Sequence, residues 1–400
     1  MLSLKQKLTL GIGALPIGVI MALNMSPIPM TIAKNLTSNV ALVTGLVIGA
    51  YWLLSILLSP VIGAMSDRTK TKIGRRLPYL RIFVPMSAAG IFGMAVFAGT
   101  SNSMLSLALF IASYLVVAFS YSVWAGPYWA LMPDITEESE RGETSGYMQG
   151  LNILGVVLAM MVSAALWDKS PTITLCIFGA VALVTGLVTA FGIKEKENYP
   201  VEEKAKLSDI VKDLFAANEL AKFFCISMLW WFAMGSIQSF FVLYAEKSLN
   251  AKVETSNIIM GIFTIILVVC AVPFGIFADK LGKRKILLAG ILMAGLGMIQ
   301  GFFITNIAYA YVTMGITAAG LGAIIVLTYT ITADLIPKGK EGKFMGLSNF
   351  FMAVPNAIAA SGMGALITAF GEDYRIIWIV GSAAMFAAFF LMRFVKTENK

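Results

Sequence analysis

The chain has 400 residues, of which 58% are hydrophobic and 13% charged. A soluble domain carries about one-quarter charged residues, so this composition points to a protein dissolved in lipid. There is no histidine, and the three cysteines (Cys176, Cys225 and Cys270) have neither metal-ligand nor disulfide spacing, which leaves no cofactor or metal to expect.

A bilayer-spanning helix needs about 20 mostly apolar residues, and twelve such runs follow one another at roughly 8–31, 40–65, 80–100, 104–131, 146–167, 171–193, 222–246, 255–278, 286–305, 307–333, 344–370 and 374–395. The expected fold class is an all-α integral membrane protein with twelve transmembrane helices. The first run holds Asn24 among Pro16, Pro27 and Pro29. It is too long and too proline-rich for a signal peptide, and no small-residue cleavage site follows it. Its prolines free backbone carbonyls that can bind polar groups or permit bending.

The second run ends abruptly at Asp67-Arg68, and a basic loop with Arg75 and Arg76 leads to Pro78 and the third run. The fourth run carries Tyr114, Tyr121, Trp124 and Tyr128 at helical spacing on one face. It closes at Pro133-Asp134, ahead of Glu137, Glu138, Glu140 and Arg141. Gln149 and Asn152 lie in the fifth run, Gln238 in the seventh, and Asn349 and Asn356 (beside Pro355) in the eleventh. A charged segment at 194–221 separates the sixth run from the seventh. In it Leu207, Ile210, Val211, Leu214 and Phe215 recur at helical spacing, as in an amphipathic surface helix or a plain linker.

The two halves repeat. The Asp67 motif returns 212 residues later at Asp279, and Asp134, Gly142 and Gly146 return 200 residues later as Asp334, Gly342 and Gly346. Loops recur after the second and fourth runs of each half in the same orientation, which makes a parallel repeat. The domain expectation is therefore a six-helix bundle at 1–193, a linker at 194–221 and a second six-helix bundle at 222–400, with a central cavity between the bundles. With the N-terminus inside, all but five of the 30 Lys and Arg fall on the cytoplasmic side. The net charge of +8 is thus a topology signal with both termini cytoplasmic, and no nucleic-acid partner is implied.

The charges at the inner ends of the helices suggest a conformational latch: Asp67, Arg68, Arg75, Arg76, Asp134 and Arg141, with Asp279 and Asp334 as counterparts in the second half. Arginine and carboxylate make strong charge-assisted hydrogen bonds, and a contact present in one state alone shifts a two-state balance. The alternative is a solvated signal that sets orientation and nothing else.

The segment Gly63-x-x-x-Asp67-Arg68 … Gly74-Arg75-Arg76 resembles the signature loop of the major facilitator superfamily. Its fuller form SDRTKTKIGRRLPYL, with Gly126-Pro127-Tyr-Trp-Ala-Leu-Met-Pro-Asp134, resembles the sucrose-transporter-like branch and its glycoside–pentoside–hexuronide relatives. The resemblance implies the major facilitator fold and sugar transport by alternating access. Two positions depart from it. Trp129 stands where proton-coupled sucrose carriers often have arginine, and the first two runs carry no carboxylate before Asp67. Coupling to protons or another cation is left open.

No Asp, Glu, Lys or Arg lies near the middle of any run. Intramembrane charges mark ion and proton paths. Their absence suits a small neutral molecule, with a sugar or glycoside first. The expected substrate contacts are Asn24, Tyr121, Trp124, Gln149, Asn152, Gln238, Asn349 and Asn356. Aromatic faces suit the C–H side of a sugar ring, and amides suit its hydroxyls. For each residue the competing role is hydrogen bonding between helices. Two other functions stay in view: export of amphipathic drug-like or lipid-like compounds, which 23 Met and 26 Phe could accommodate, and a non-transporting membrane sensor. An enzyme is not expected, because no acid, base or metal set sits at depth. The expected location is the plasma membrane.

Overall fold

In hydrocarbon a backbone satisfies its own polar groups as helix or as closed barrel, and this chain does so as helix. The computed structural model describes residues 2–100, 103–195, 214, 217–336 and 341–396, and no strand occurs among them. Among these described residues twelve helical spans are long and apolar enough to cross a membrane.

The first span is broken into α1 (Leu4–Ile12), α2 (Leu15–Met25) and α3 (Pro27–Asn35). It starts earlier than the apolar run does. Ser3 and Gln6 form a capping box that draws the polar Lys5-Gln6-Lys7 into the helix. The second break falls at Ser26, whose backbone leaves the helical region (φ −139°, ψ −62°). Pro27 and Pro29 have no N–H to give the carbonyls of Leu23 and Met25, which is the cause of the break.

The other spans are α4 (Val40–Arg68), α5 (Leu77–Ala98), α6 (Met104–Ile135), α7 (Arg141–Leu166), α8 (Pro171–Gly192), α9 (Asn218–Leu249), α10 (Val253–Leu281), α11 (Lys283–Gly301), α12 (Ile307–Leu335), α13 (Glu341–Ala369) and α14 (Ile376–Leu391). The amphipathic helix expected around Leu207–Phe215 lies, apart from Leu214, outside the described residues.

The chain forms two compact units. One comprises Met1–Val40, Ala50–Glu202 and Val253–Gly261, and the other Ala41–Gly49, Glu203–Lys252 and Ile262–Lys400. In the first unit α1 and α2 pack on α7 and α8, while α5 packs on α6 and α8. In the second, α9 packs on α13 and α14, while α11 packs on α12 and α14. The first span of each half thus meets the fifth and sixth, and the third meets the fourth and sixth. The sequence repeat is also a repeat of packing.

Small residues set how closely the helices approach. Gly18 of α2 and Gly155 of α7 face each other, and a Cβ on Gly155 would sit 2.7 Å from the Leu15 carbonyl oxygen. The outward faces are apolar: Leu53, Leu57 and Val61 of α4 and Val269, Val272 and Ile276 of α10 are all exposed. In water such stripes would drive association, whereas in lipid they are ordinary solvent-facing positions.

The start of α4 is completed from far away in sequence. Asn39, at the N-cap of α4, is left-handed (φ 58°) and makes no side-chain cap. The Ala41 and Leu42 N–H groups donate instead to Glu372 Oε2 (3.3 Å) and Thr368 Oγ1 (3.1 Å). An anion at this end also meets the positive pole of the helix.

Candidate functional site

The densest cluster of charge lies in the first unit, at the end bearing the α4–α5 loop, here termed the basic end. Arg75 donates to Asp134 through Nε (3.0 Å) and Nη2 (2.6 Å). Arg76, with a side chain only 7% exposed, reaches Asp67 Oδ1 at 2.7 Å, Asp134 Oδ2 at 3.1 Å and Ser66 Oγ at 2.5 Å. Two arginines thus share one carboxylate, and the ends of α4 and α6 are joined through the loop. The planar fork of guanidinium suits this arrangement, which a lysine could not reproduce.

A further member went unrecognised in the sequence. Glu195, just after α8, accepts from the N–H groups of Arg76 (2.9 Å) and Leu77 (3.4 Å). Arg76 is the N-cap of α5 and offers no side-chain cap, so Glu195 supplies the anion at that helix start. It lies directly over Gly74 (φ 109°), where a Cβ would collide with its carboxyl. Glycine is required there for both conformation and space. No local spacing signals this role, because the partner arrives from a different helix end.

Burial pushes the Glu195 carboxyl above its ordinary range and the nearby Asp134 charge adds to this, against the stabilising Arg76 and Leu77 N–H groups. A raised folded-state value means that the native protein holds this proton more tightly than the unfolded chain does. The stabilising contribution is complete below the ordinary glutamate range and is lost as pH rises through the raised value. Thermal unfolding of Glu195→Gln, compared with the parent between pH 5 and 8, is therefore expected to show a smaller loss of stability with rising pH. An identical pH slope in the two proteins would refute this.

A second tie holds the start of the first span. Lys7 Nζ lies 3.1 Å from Glu140 Oε1 and 2.6 Å from Glu143 Oε2, and the Leu2 N–H donates to Glu140 Oε2 at 3.0 Å. The Leu2 N–H and the Lys7 ammonium hold the Glu140 carboxyl below its usual range. In the second unit the corresponding end is lighter. Lys283 Nζ meets Asp334 Oδ2 at 2.5 Å in an exposed pair, a type worth about 0–1 kcal/mol.

Four of the eight residues expected in the latch are therefore brought together: Asp67, Arg75, Arg76 and Asp134. Asp334 pairs separately, and Arg68, Arg141 and Asp279 stand exposed outside the network. The joined residues all lie within one unit, so the contacts seen brace that unit.

The expected substrate residues divide by what their polar atoms already do. Asn24 Oδ1 accepts from the Tyr114 hydroxyl at 2.5 Å, and Asn152 Nδ2 faces the Ala14 carbonyl at 3.4 Å. Asn356 Nδ2 bonds back to Met352 of its own helix at 2.7 Å. Trp124 is 1% exposed and donates its indole N–H to Ser87 Oγ at 3.0 Å. The contacts of Asn24, Asn152 and Trp124 join neighbouring segments, and that of Asn356 stays within its own helix. Tyr121 remains half-buried, stacked on Tyr51 at 5.1 Å and edge-on to Trp124 at 5.9 Å. Gln238 is half-buried, while Gln149 and Asn349 are exposed. The last two occupy the same turn of α7 and α13, as the repeat requires. Tyr51 escaped the sequence reading because its stacking partner lies on another helix.

The interior is electrically quiet. Among the described residues the only buried charged side chains are Lys7, Arg76 and Glu140, all in the ion-pair clusters of the basic end. Elsewhere the buried polar groups are amides, hydroxyls and aromatic donors.

A family described as MFS/sugar transport protein matches residues 10–377. The chain belongs to this family. The twelve helical spans among the described residues make it a multi-pass membrane protein, and the family match with its permease relatives makes it one of the glycoside–pentoside–hexuronide type. It is 24% identical to the lactose permease of Lactobacillus helveticus, over 75% of this chain and 50% of that protein. The chain thus spans about half the length of that relative. It is 23% identical to the multidrug resistance protein MdtG of Escherichia coli O9:H4 (strain HS), over 84% of this chain and 80% of the relative. Among solved structures, a D-xylose-proton symporter superposes with a TM-score of 0.79 at 15% identity, covering 98% of this chain and 97% of that one. At that identity the agreement is one of fold.

Proposed function

We propose that this family member moves a small neutral solute, a sugar or glycoside, across the plasma membrane by alternating access. The observation that carries this reading is the neutral interior: among the described residues buried polarity comes from amides, hydroxyls and aromatic donors, and the buried charged side chains are confined to the basic-end clusters. A hydroxyl-rich solute can exchange hydrogen bonds with such groups without burying a charge, whereas an ionic metabolite would need a counter-charge. Similarity to a lactose permease supports the substrate class. No chemical step is called for. Both termini lie in the cytoplasm on the charge bias of the loops. The Asp67–Arg76–Asp134 network, which joins the ends of α4 and α6, serves as the latch of one conformational state. Proton coupling accompanies transport if an imposed pH gradient drives uptake.

The test is counterflow in proteoliposomes, with labelled sucrose, maltose, glucose or lactose outside and the same unlabelled sugar inside. Exchange needs no ion gradient and therefore reports cargo whether or not transport is coupled. Accumulation of a labelled sugar above that in protein-free vesicles is the expected result. Failure with every sugar, together with exchange of amphipathic cations, would replace this reading by drug export, which the similarity to MdtG favours.

A further inference from the structure

At the basic end of the first unit, the start of α5 meets the end of α8, and a cation stands there without a counter-charge. Arg81, one turn into α5, donates from Nε to the Ala190 carbonyl at 3.0 Å. Its guanidinium carbon lies 4.5 Å from the centre of the Phe191 ring. Ala190 is in the last turn of α8, whose open carbonyls form the negative pole of that helix. One edge of the fork is therefore tied to the protein, and the aromatic face fixes its plane. The other edge, Nη1 and Nη2, bonds to no other described residue, and no described carboxylate pairs with Arg81. Glu195, which follows α8, is taken by the Arg76 and Leu77 N–H groups.

The surroundings are those of a lipid-facing surface. Ile82, next to Arg81, is exposed. Val184, Val188 and Phe191 recur at spacings of four and three along α8, and all three are exposed, so they form one outward stripe that ends at the arginine. Lys194, three residues past Phe191, adds an exposed cation. Such a surface meets acyl chains along the stripe and headgroups at its end.

The tie between arginine and helix end recurs in the second unit. Arg284 of α11, 203 residues after Arg81, donates from Nη2 to the carbonyls of Met392 (3.1 Å) and Arg393 (3.0 Å), just past α14. Arg393, 203 residues after Ala190, lies over the Phe389 and Phe390 rings. The inward bond is thus part of the duplicated architecture, and it leaves the outer edge of Arg81 available for a ligand.

We propose that Arg81 binds the phosphate of an anionic phospholipid, with Lys194 as a second cation and an acyl chain along Ile82, Val184, Val188 and Phe191. Guanidinium and phosphate match as a two-pronged pair. Basic sites between helix ends, at the level of the headgroups, suit such lipids. A free phosphate would satisfy the charge but leave the apolar stripe unused. The inference does not depend on which solute is carried.

The experiment is native mass spectrometry of the full chain in detergent, titrated with phosphatidylglycerol or phosphatidylcholine. The parent is expected to hold phosphatidylglycerol about tenfold more tightly, because the choline cation opposes the two basic side chains. Arg81→Gln should weaken the tightest-bound phosphatidylglycerol about tenfold and remove the preference. Arg141→Gln, which takes one exposed arginine from the same end, should change neither. Equal binding of the two lipids by the parent overturns the proposal even if Arg81→Gln fails to fold. Unchanged binding in a folded Arg81→Gln protein overturns it as well. Equal losses in the two variants would overturn it in favour of the charge of the whole end. Excess inorganic phosphate should not displace the lipid, and full displacement would leave an anion site with no lipid specificity.

Discussion

Replacing Arg76 by alanine is expected to destabilise the first unit by about 3–5 kcal/mol, the penalty for breaking a buried ion pair from one side. The side chain is 7% exposed and serves Asp67, Asp134 and Ser66 together. Its removal leaves Asp67 without the Arg76 contact and Asp134 with Arg75 as its remaining arginine. Arg76→Lys should recover only part of the loss, because an ammonium cannot span three acceptors in one plane. Thermal unfolding in detergent, followed by intrinsic tryptophan fluorescence, would read the order parent, lysine, alanine. An alanine variant as stable as the parent would mean that the cluster is a solvated charge signal. Counterflow measured on the same samples separates bracing from gating. A lysine variant that folds fully yet exchanges slowly would assign the network a part in the conformational cycle.

The second large effect is expected at Gly18. A Cβ there would meet the backbone of α7 at Val156 N (2.7 Å) and Gly155 C (2.9 Å). Backbone cannot rotate out of the way as a side chain can. Gly18→Val must therefore push α2 off α7, at a cost of about 1–3 kcal/mol or more for overpacking. The predicted outcome is poor recovery of monodisperse protein on gel filtration. Gly142→Ala, on the facing helix α7 but with nothing within 4 Å of its Cβ position, serves as the control and should behave as the parent does. Normal behaviour of Gly18→Val would show that the two helices do not approach this closely.

Much of this architecture was legible in the chain because lipid imposes a severe rule. A helix of about 20 apolar residues is the only local solution for a segment such as 171–193, so length and hydropathy locate it without knowledge of any neighbour. The repeat was legible for a related reason. Asp134 and Asp334 close equivalent helices, and the packing of α7 and α13 within their units places Gln149 and Asn349 on the same turn. The neutral interior could also be read directly, since a charge at mid-span would have stood out in the sequence.

The candidate site was legible only in part. Asn24, Trp124, Asn152 and Asn356 have the residue types that a sugar site needs. Whether an amide is free or already bonded depends on what faces it, and Tyr114, Ser87, Ala14 and Met352 are the atoms that decide. Glu195 was missed for the same reason. It is a carboxylate in a polar loop and does not stand out until the Arg76 N–H is seen beside it.

The sequence by itself determined the solvent, the number of spans, the duplication and the placement of charge at the helix ends, because each follows from the composition of short contiguous segments. Tertiary structure alone decided which polar groups pair. It set Arg76 between two carboxylates, brought Glu195 to the start of α5, and met the open N–H groups of α4 with Thr368 and Glu372 from more than 300 residues away. Hydrogen bonds act over about 3 Å in space and take no account of separation along the chain. Their partners become known only when the helices have packed.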